Sequence, residues 1–297
     1  MTLQRKVKHL QAEQPQSNIS KRPRVLVFDS GVGGLSICRE IIARTANVQL
    51  DYLSDNAAFP YGEKTAEQLI DRASRVLLSA CKQLNPDIVV IACNTASTVV
   101  LPHLRTQLSM PIVGVVPAIK TAAGLCKSNT FALLATPGTV SRDYTQQLIN
   151  EHAEKHKIIR VGSSELVKHI EAHIHGQPID SNYLLTVVKQ LTEQVDGDKI
   201  DTVVLGCTHF PLISEYFKAI KPNWQWIDSG LAIAERVNNL LTMTDAIKKT
   251  AQETSHANTA HQLWLTQPND QQSTLDSYIA SYLSDGSFSA SQILTID

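Results

Sequence analysis

Short apolar runs alternate with longer amphipathic stretches along most of the chain. The apolar runs are rich in Val, Ile and Leu, as expected of strands covered on both faces. They are Arg24–Phe28, Val48–Leu53, Ile88–Ala92, Ile112–Val116, Phe131–Ala135, Lys157–Val161, Thr202–Leu205 and Trp224–Ile227. The stretches between them are typical of helices, and Thr65 with Gln68 forms a capping-box pattern before one of them. This alternation predicts an α/β fold with mostly parallel sheets.

The two ends of the chain depart from the pattern. Residues 1–22 are polar and basic without an apolar segment, so we interpret them as a polar extension rather than a secretory signal. The stretch 243–260 is also polar and predicts a loosely structured connection. After it, Gln262–Thr266 and Phe288–Ile296 are predicted as short strands around a final helix.

Composition narrows the class of protein. A chain of 297 residues with 43% hydrophobic residues suits two modest α/β domains. The net charge of -1 gives no global field toward nucleic acid or an anionic membrane, so neither is expected as a partner. Five cysteines at irregular spacing, without an export signal, favour reduced thiols and a cytoplasmic location. Three lie in helical patterns and are predicted to be buried: Cys38, Cys81 and Cys126.

The other two cysteines occupy matching contexts. Residues 87–98 read DIVVIACNTAST and residues 201–212 read DTVVLGCTHFPL. Each segment predicts a buried strand that ends at a cysteine, Cys93 or Cys207, followed by short polar side chains. Two opposed thiols suit a reaction that removes a proton from one face of a carbon and returns one to the other. We therefore expect two related halves that contribute one thiol each.

Polar residues follow several other predicted strands, at the sheet edge where α/β proteins bind ligands. The glycine loop Gly31–Gly34 resembles a dinucleotide fingerprint only weakly, because Ser36 stands at the third glycine position and Asp29 precedes the loop. Its glycines are better explained by a tight turn and the close approach of a small ligand. Short neutral donors could together hold two carboxylates: Ser30, Asn94, Thr95, Thr136, Thr139 and Thr208.

Each thiol needs an activating neighbour. An ordinary thiol has a pKa of about 8.5, and half ionisation at pH 7 requires roughly 2 kcal/mol. Cys93 and Cys207 are each expected at a helix N-terminus, which typically supplies only about 0.3–1 kcal/mol. An imidazolium at His209 would lower the pKa of Cys207, whereas Asp29 would act as a proton acceptor or hydrogen-bond partner.

Two other chemistries use cysteine and histidine. A zinc site with Cys93, Cys207 and His209 is disfavoured because the usual closely spaced cysteine pairs are missing, so no metal is predicted. A Cys-His hydrolase would use one nucleophile and leave the second thiol unexplained.

Six segments in order resemble glutamate racemases, of the cofactor-independent aspartate/glutamate racemase superfamily: FDSGVGGLS, LSDNAAFPYGEK, IACNTAST, LLATPGTV, LGCTHFPL and IDSG. The resemblance covers most of the chain from about Arg24. It implies interconversion of L- and D-glutamate, which supplies D-glutamate for peptidoglycan and so for the cell wall. It also implies a two-base mechanism without a cofactor.

The resemblance assigns roles by motif position. It implies that Cys93 takes the α-proton of D-glutamate and Cys207 that of L-glutamate. Asp29 and His209 match auxiliary acid/base residues, and Glu171 in SSELVKHIE matches an auxiliary glutamate. The matching substrate-binding positions are Asp29, Ser30, Pro60, Tyr61, Gly62, Asn94, Thr95, Thr136, Thr139, Thr208 and His209.

The same resemblance implies two similar α/β lobes with the active site in the cleft between them. The first lobe would comprise residues 23–114 plus 229–297, and the second residues 115–228. Where many members carry Glu-Pro, this chain has Val116-Pro117. That variant and the extension resemble the proteobacterial branch, in which UDP-N-acetylmuramoyl-L-alanine is an activator, and we expect the same here. The resemblance leaves a monomer and a homodimer both open.

Three other kinds of protein would share some of these sequence features. An aspartate racemase would differ in pocket depth, which the sequence does not show. A decarboxylase of the same superfamily would need one thiol only. A two-lobed solute-binding protein would have no use for paired thiols.

Overall fold

The structure, a computed structural model, describes residues 22–243, 260–283 and 288–296. The predicted polar extension, apart from its last residue, and nearly all of the predicted connection at 243–260 lie outside the described residues.

The described strands form two sheets. They are β1 (Arg24–Asp29), β2 (Gln49–Ser54), β3 (Ile88–Ile91), β4 (Ile112–Gly114), β5 (Thr130–Ala135), β6 (Lys157–Gly162), β7 (Thr202–Gly206), β8 (Gln225–Ile227), β9 (Gln262–Leu265) and β10 (Gln292–Ile293). One sheet has the order β10-β9-β2-β1-β3-β4 and the other β6-β5-β7-β8. All strand pairs are parallel, which confirms the predicted α/β fold.

The chain leaves the six-stranded sheet after β4 and returns to it at β9. Because every strand between them belongs to the four-stranded sheet, we propose the two lobes predicted from the sequence, 23–114 with 229–297 and 115–228. The last strand is much shorter than predicted, since only Gln292–Ile293 pairs as β10 and Phe288 forms an isolated bridge with His261.

Helices cover the sheets on both faces. They are α1 (Leu35–Arg44), α2 (Ala66–Leu84), α3 (Asn94–Arg105), α4 (Ile119–Leu125), α5 (Pro137–Ser141), α6 (Asp143–His152), α7 (Ser164–Ile174), α8 (Ser181–Thr192), α9 (Ser214–Ile220), α10 (Gly230–Met243) and α11 (Gln272–Tyr282). The capping box predicted at Thr65 and Gln68 opens α2, with both reciprocal hydrogen bonds present. No helix within the described ranges is long and apolar enough to cross a membrane.

The central strands of each sheet are buried on both faces, which explains why they read as unbroken apolar runs. In β3 all four residues are buried, and β5 and β7 are buried throughout. Cys38 in α1 and Cys81 in α2 are buried as predicted. The prediction for Cys126 was wrong: α4 ends at Leu125, and the half-buried Cys126 follows it.

Candidate active site

The carboxyl ends of both sheets meet at one pocket between them. Its volume is about 360 Å³, including its open mouth. It is lined by Asp29, Ser30, Pro60, Tyr61, Gly62, Cys93, Asn94, Thr95, Thr136, Ser164, Val167, Cys207, Thr208 and His209. Two strand ends from different sheets, β3 and β7, thus bring their thiols to the same space.

Cys93 lies directly after β3 and is the N-cap residue of α3. Its side chain is buried, and burial raises the pKa of the thiol well above its usual value. The charge of Asp29 raises this pKa further, while the backbone N–H of Ala96 and the side chain of Ser30 act in the opposite direction. Burial and the neighbouring Asp29 carboxyl therefore both favour the protonated form of the Cys93 thiol.

Cys207 follows β7 and has a different neighbour. Its Sγ lies 3.9 Å from Nδ1 of His209. The prediction that an α-helix begins after Cys207 was wrong, because a short 3₁₀-helix, Phe210–Ile213, follows instead. The proline at its second position and the tight turn at Thr208 and His209 place the imidazole, rather than a helix end, beside the thiol.

His209 connects Cys207 to Glu171. The Nε2 atom of His209 lies 2.7 Å from Oε2 of Glu171, which projects from α7. The backbone N–H of Val32 donates to the same carboxylate at 3.2 Å. Burial alone lowers the pKa of His209, but its contacts with Cys207 and Glu171 outweigh burial and hold that pKa well above its usual value. The imidazole is consequently suited to exchange a proton with the Cys207 thiol.

Asp29, at the end of β1, is fully buried. Burial raises the pKa of its carboxyl, and the charge of His209 and a hydrogen bond of 2.7 Å from the hydroxyl of Thr208 oppose that rise. A carboxyl with a raised pKa is better able to accept a proton near neutral pH than an ordinary aspartate.

The glycine loop serves a close approach between the two lobes. A Cβ on Gly33 would lie 2.4 Å from Nδ1 of His209 and 2.7 Å from Oγ1 of Thr208, both of which are impossible contacts. Gly33 therefore serves the close approach of the turn after β7, and the approach of a small ligand to the loop stays a prediction. Only glycine lets His209 sit at this distance from the first lobe.

Tyr61 and its neighbours form the wall beside Cys93. The Tyr61 hydroxyl donates a 2.6 Å hydrogen bond to Asp55, which is fully buried. Arg72 donates to both oxygens of Asp55, at 2.9 and 2.6 Å. Tyr61 is thus fixed by an ion pair behind the pocket, while Pro60 and Gly62 line the pocket itself.

Short hydroxyls and an amide adjoin this wall, since a Cβ on Gly62 would lie 3.3 Å from Cγ2 of Thr136. The hydroxyls of Thr95 and Thr136 lie 3.0 Å apart and join the start of α3 to the start of α5. Thr139 is fully buried behind Thr136, 3.0 Å from its hydroxyl, and does not line the pocket. Among the described residues, no hydrogen-bond partner faces the side-chain nitrogen of buried Asn94. An unpaired buried donor in a pocket wall is suited to a ligand oxygen.

Sequence analysis missed two lining residues, Ser164 and Val167. Both belong to α7, which begins directly after β6. The rule that ligands bind at strand carboxyl ends, applied to this strand as it was to the others, would have indicated Ser164. Glu171 lines no part of the pocket and reaches it only through His209.

Comparison with known proteins agrees with this geometry. Residues 25–237 match the Asp/Glu/Hydantoin racemase family. The chain is 50% identical to glutamate racemase of Vibrio cholerae over 226 residues, covering 76% of this chain and 83% of that one. It is 47% identical to glutamate racemase of Klebsiella pneumoniae over 221 residues, covering 74% and 77%.

A solved structure is also similar. The crystal structure of Escherichia coli glutamate racemase in complex with L-glutamate and the activator UDP-MurNAc-Ala has a TM-score of 0.82 and 37% identity. The alignment covers 93% of this chain and all of that one. Taken with two thiols from different sheets in one pocket, these similarities show that the chain belongs to the Asp/Glu/Hydantoin racemase family, among the glutamate racemases.

Proposed function

We propose that the chain interconverts L- and D-glutamate by removing and returning the proton on Cα with two thiols and no cofactor. The observation that carries this proposal is the placement of Cys93 and Cys207, from different sheets, on one pocket with different proton-accepting neighbours. A site of this kind can act on both faces of one carbon, which a single nucleophile cannot.

The enantiomer on which each thiol acts is taken from the family resemblance, and the neighbours of each thiol supply its helpers. With L-glutamate bound, Cys207 as thiolate takes the α-proton, assisted by His209 and Glu171, and the Cys93 thiol donates its proton to the opposite face. With D-glutamate, Cys93 takes the proton, assisted by Asp29, and Cys207 donates. In each direction one S–H bond forms and the other breaks, so the proton balance is complete.

Neutral donors hold the substrate in this proposal. None of the lining residues in the described part of the chain is a lysine or an arginine. The unpaired amide of Asn94 and the hydroxyls of Thr95, Thr136, Thr208 and Ser30 are available to the two carboxylates, while Pro60, Tyr61 and Gly62 shape the pocket. Thr139 supports Thr136 from behind. Hydrogen bonding without full charge neutralisation lets the same donors stabilise the carbanion-like transition state.

The proposal also covers an activator of the enzyme and its role in the cell. The E. coli relative is solved with UDP-MurNAc-Ala named as activator, and we expect UDP-N-acetylmuramoyl-L-alanine to activate this enzyme too. If titration with that precursor leaves kcat and KM unchanged, the proposed activation is contradicted. The proposed role is supply of D-glutamate for peptidoglycan in the cytoplasm, by a monomer or a homodimer.

The test is proton exchange followed by NMR, with L-glutamate in D₂O and no added cofactor, together with chiral analysis of the product. Loss of the α-proton signal with formation of D-glutamate supports the proposal. L-aspartate is the control, and exchange of aspartate instead would indicate an aspartate racemase. Binding of glutamate without exchange, with and without the muramoyl precursor, would indicate a binding protein.

A further inference from the structure

A second cavity lies behind Glu171. Its volume is about 910 Å³, including its open mouth, and its walls come from the ends of β2 and β9, from α7 and from the start of α11. Polar groups of Asn56, His175, Asn269 and Asp270 contribute to its lining. A polar cavity of this size that opens to solvent has room for many water molecules.

The two cavities share no lining residue, and one hydrogen bond joins them. His209 lines the first pocket and Glu171 lines the second cavity, and Nε2 of His209 meets Oε2 of Glu171 at 2.7 Å. The side chain of His209 is 2% exposed and that of Glu171 is 16% exposed. The ring of Phe59, which lines the second cavity, packs 6.0 Å from the His209 ring. His209 therefore communicates with the second cavity through Glu171.

Cys93 has no equivalent connection among the described residues. Asp29, its nearby titratable group, is fully buried and hydrogen-bonds to Ser30 and Thr208, which line the same first pocket. The Tyr61 hydroxyl donates its hydrogen bond to Asp55. Burial and that carboxylate raise the pKa of the hydroxyl well above its usual value, so Tyr61 does not exchange protons with Cys93 near neutral pH. The two thiols thus differ in how a proton can leave them.

We propose that the second cavity is the proton-exchange port of Cys207, reached through His209 and Glu171, and that Cys93 has no such port. This inference rests on the proposed function. After L-glutamate is converted, Cys207 carries the captured proton. Protonation of Cys207 removes the thiolate charge that helps to raise the pKa of His209, so His209 accepts as the neutral Nε2–H tautomer. The S–H bond breaks as Nδ1 of His209 takes that proton, Nε2–H passes its own to Glu171, and the carboxyl releases it to water in the cavity. Cys207 is thereby reset as a thiolate between turnovers. Cys93, which gave its proton to D-glutamate, takes one back more slowly, from water that enters the open first pocket after the product leaves.

The test measures how often a captured deuteron survives until the next turnover. L-[2-²H]glutamate is mixed in H₂O with ¹³C-labelled D-glutamate, and deuterium that Cys207 captures either escapes or appears in ¹³C-labelled L-glutamate. The mirror experiment, with D-[2-²H]glutamate and ¹³C-labelled L-glutamate, reports on Cys93. We expect transfer from L-glutamate to require a several-fold higher total glutamate concentration than transfer from D-glutamate.

A blocking variant provides the second arm. Gln271, the N-cap residue of α11, lines the second cavity, whereas Ser273 is an exposed residue of α11 outside it. Gln271→Trp should lower the glutamate concentration needed for transfer from L-glutamate, with kcat/KM unchanged, and Ser273→Trp should not. Equal transfer from both enantiomers in the parent protein overturns the inference. So does a Gln271→Trp variant that folds, racemises and transfers deuterium as the parent does. A protein that forms no D-glutamate refutes the proposed function instead, and this inference with it.

Discussion

The hydroxyl of Thr208 donates a hydrogen bond of 2.7 Å to the carboxylate of Asp29. Asp29 ends β1 in one sheet, and Thr208 follows β7 in the other. The hydroxyl of Ser36 adds a second tie, donating to the backbone oxygen of Thr208 at 2.9 Å. Because each strand end also lies beside a thiol, these contacts set the separation of the two thiols.

Removal of the Thr208 hydroxyl should shift the pH dependence of the reaction. In Thr208→Val, Asp29 loses a hydrogen bond that lowers its pKa, so the already raised pKa should rise further. If ionised Asp29 assists Cys93, the acid limb of kcat/KM for D-glutamate moves to higher pH. We also expect a loss of about 1–3 kcal/mol in the free energy of unfolding, because a buried acceptor loses its partner.

The control for this variant is Thr186→Val, whose exposed hydroxyl bonds only to a backbone oxygen of its own helix. Rate profiles of Thr208→Val and the parent protein that coincide on the acid side would show that Asp29 does not act as the assisting base.

The helpers of the two thiols should affect opposite directions of exchange. His209→Asn removes the group 3.9 Å from the Cys207 thiol and should slow α-proton exchange of L-glutamate more than that of D-glutamate. Asp29→Asn should do the reverse. A positioned general base typically contributes about 10²–10⁴-fold. Pre-steady-state exchange in D₂O measures each direction, and equal slowing of both by either variant would contradict one helper per thiol.

The ion pair behind Tyr61 should be important for stability. Arg72→Met leaves the fully buried carboxylate of Asp55 without its charged partner, which typically costs about 3 kcal/mol or more. The matched control is Arg75→Met on the same helix, whose ion pair with Asp71 is exposed and contributes roughly 0–1 kcal/mol. Urea unfolding of both variants makes the comparison. Equal losses in the free energy of unfolding would show that other groups stabilise the buried Asp55 carboxylate when Arg72 is removed.

A rise in KM should accompany the loss of stability in Arg72→Met, because Tyr61 depends on Asp55 for its position in the pocket wall. Unchanged KM in a folded variant would mean that Tyr61 is held by packing alone.

The position of each cysteine at the end of a strand could be predicted from the sequence, because it depends on the local pattern of apolar residues. Cys93 and Cys207 each follow an unbroken apolar run, and parallel strands must end at a common edge. The fold class and the shared pocket follow from that regularity. The helix expected after Cys207 did not follow, since Pro211 and a tight turn give a 3₁₀-helix there.

Contacts between distant segments could not be predicted in this way. The bond between Thr208 and Asp29 spans 179 residues, and the one between Val32 and Glu171 spans 139. Such contacts depend on how the two sheets face each other, which no local pattern records. For the same reason the sequence could not show that Gly33 serves the approach of His209.

In the proposed mechanism the thiols of Cys93 and Cys207, and no others, carry out racemisation. The most direct measurement is the rate of racemisation of each enantiomer by Cys93→Ala and Cys207→Ala, with Cys126→Ala as the control at a half-buried cysteine outside the pocket. We predict activity below detection in both directions for the first two variants and parental activity for the control. Turnover retained by either Cys93→Ala or Cys207→Ala would contradict the two-thiol mechanism.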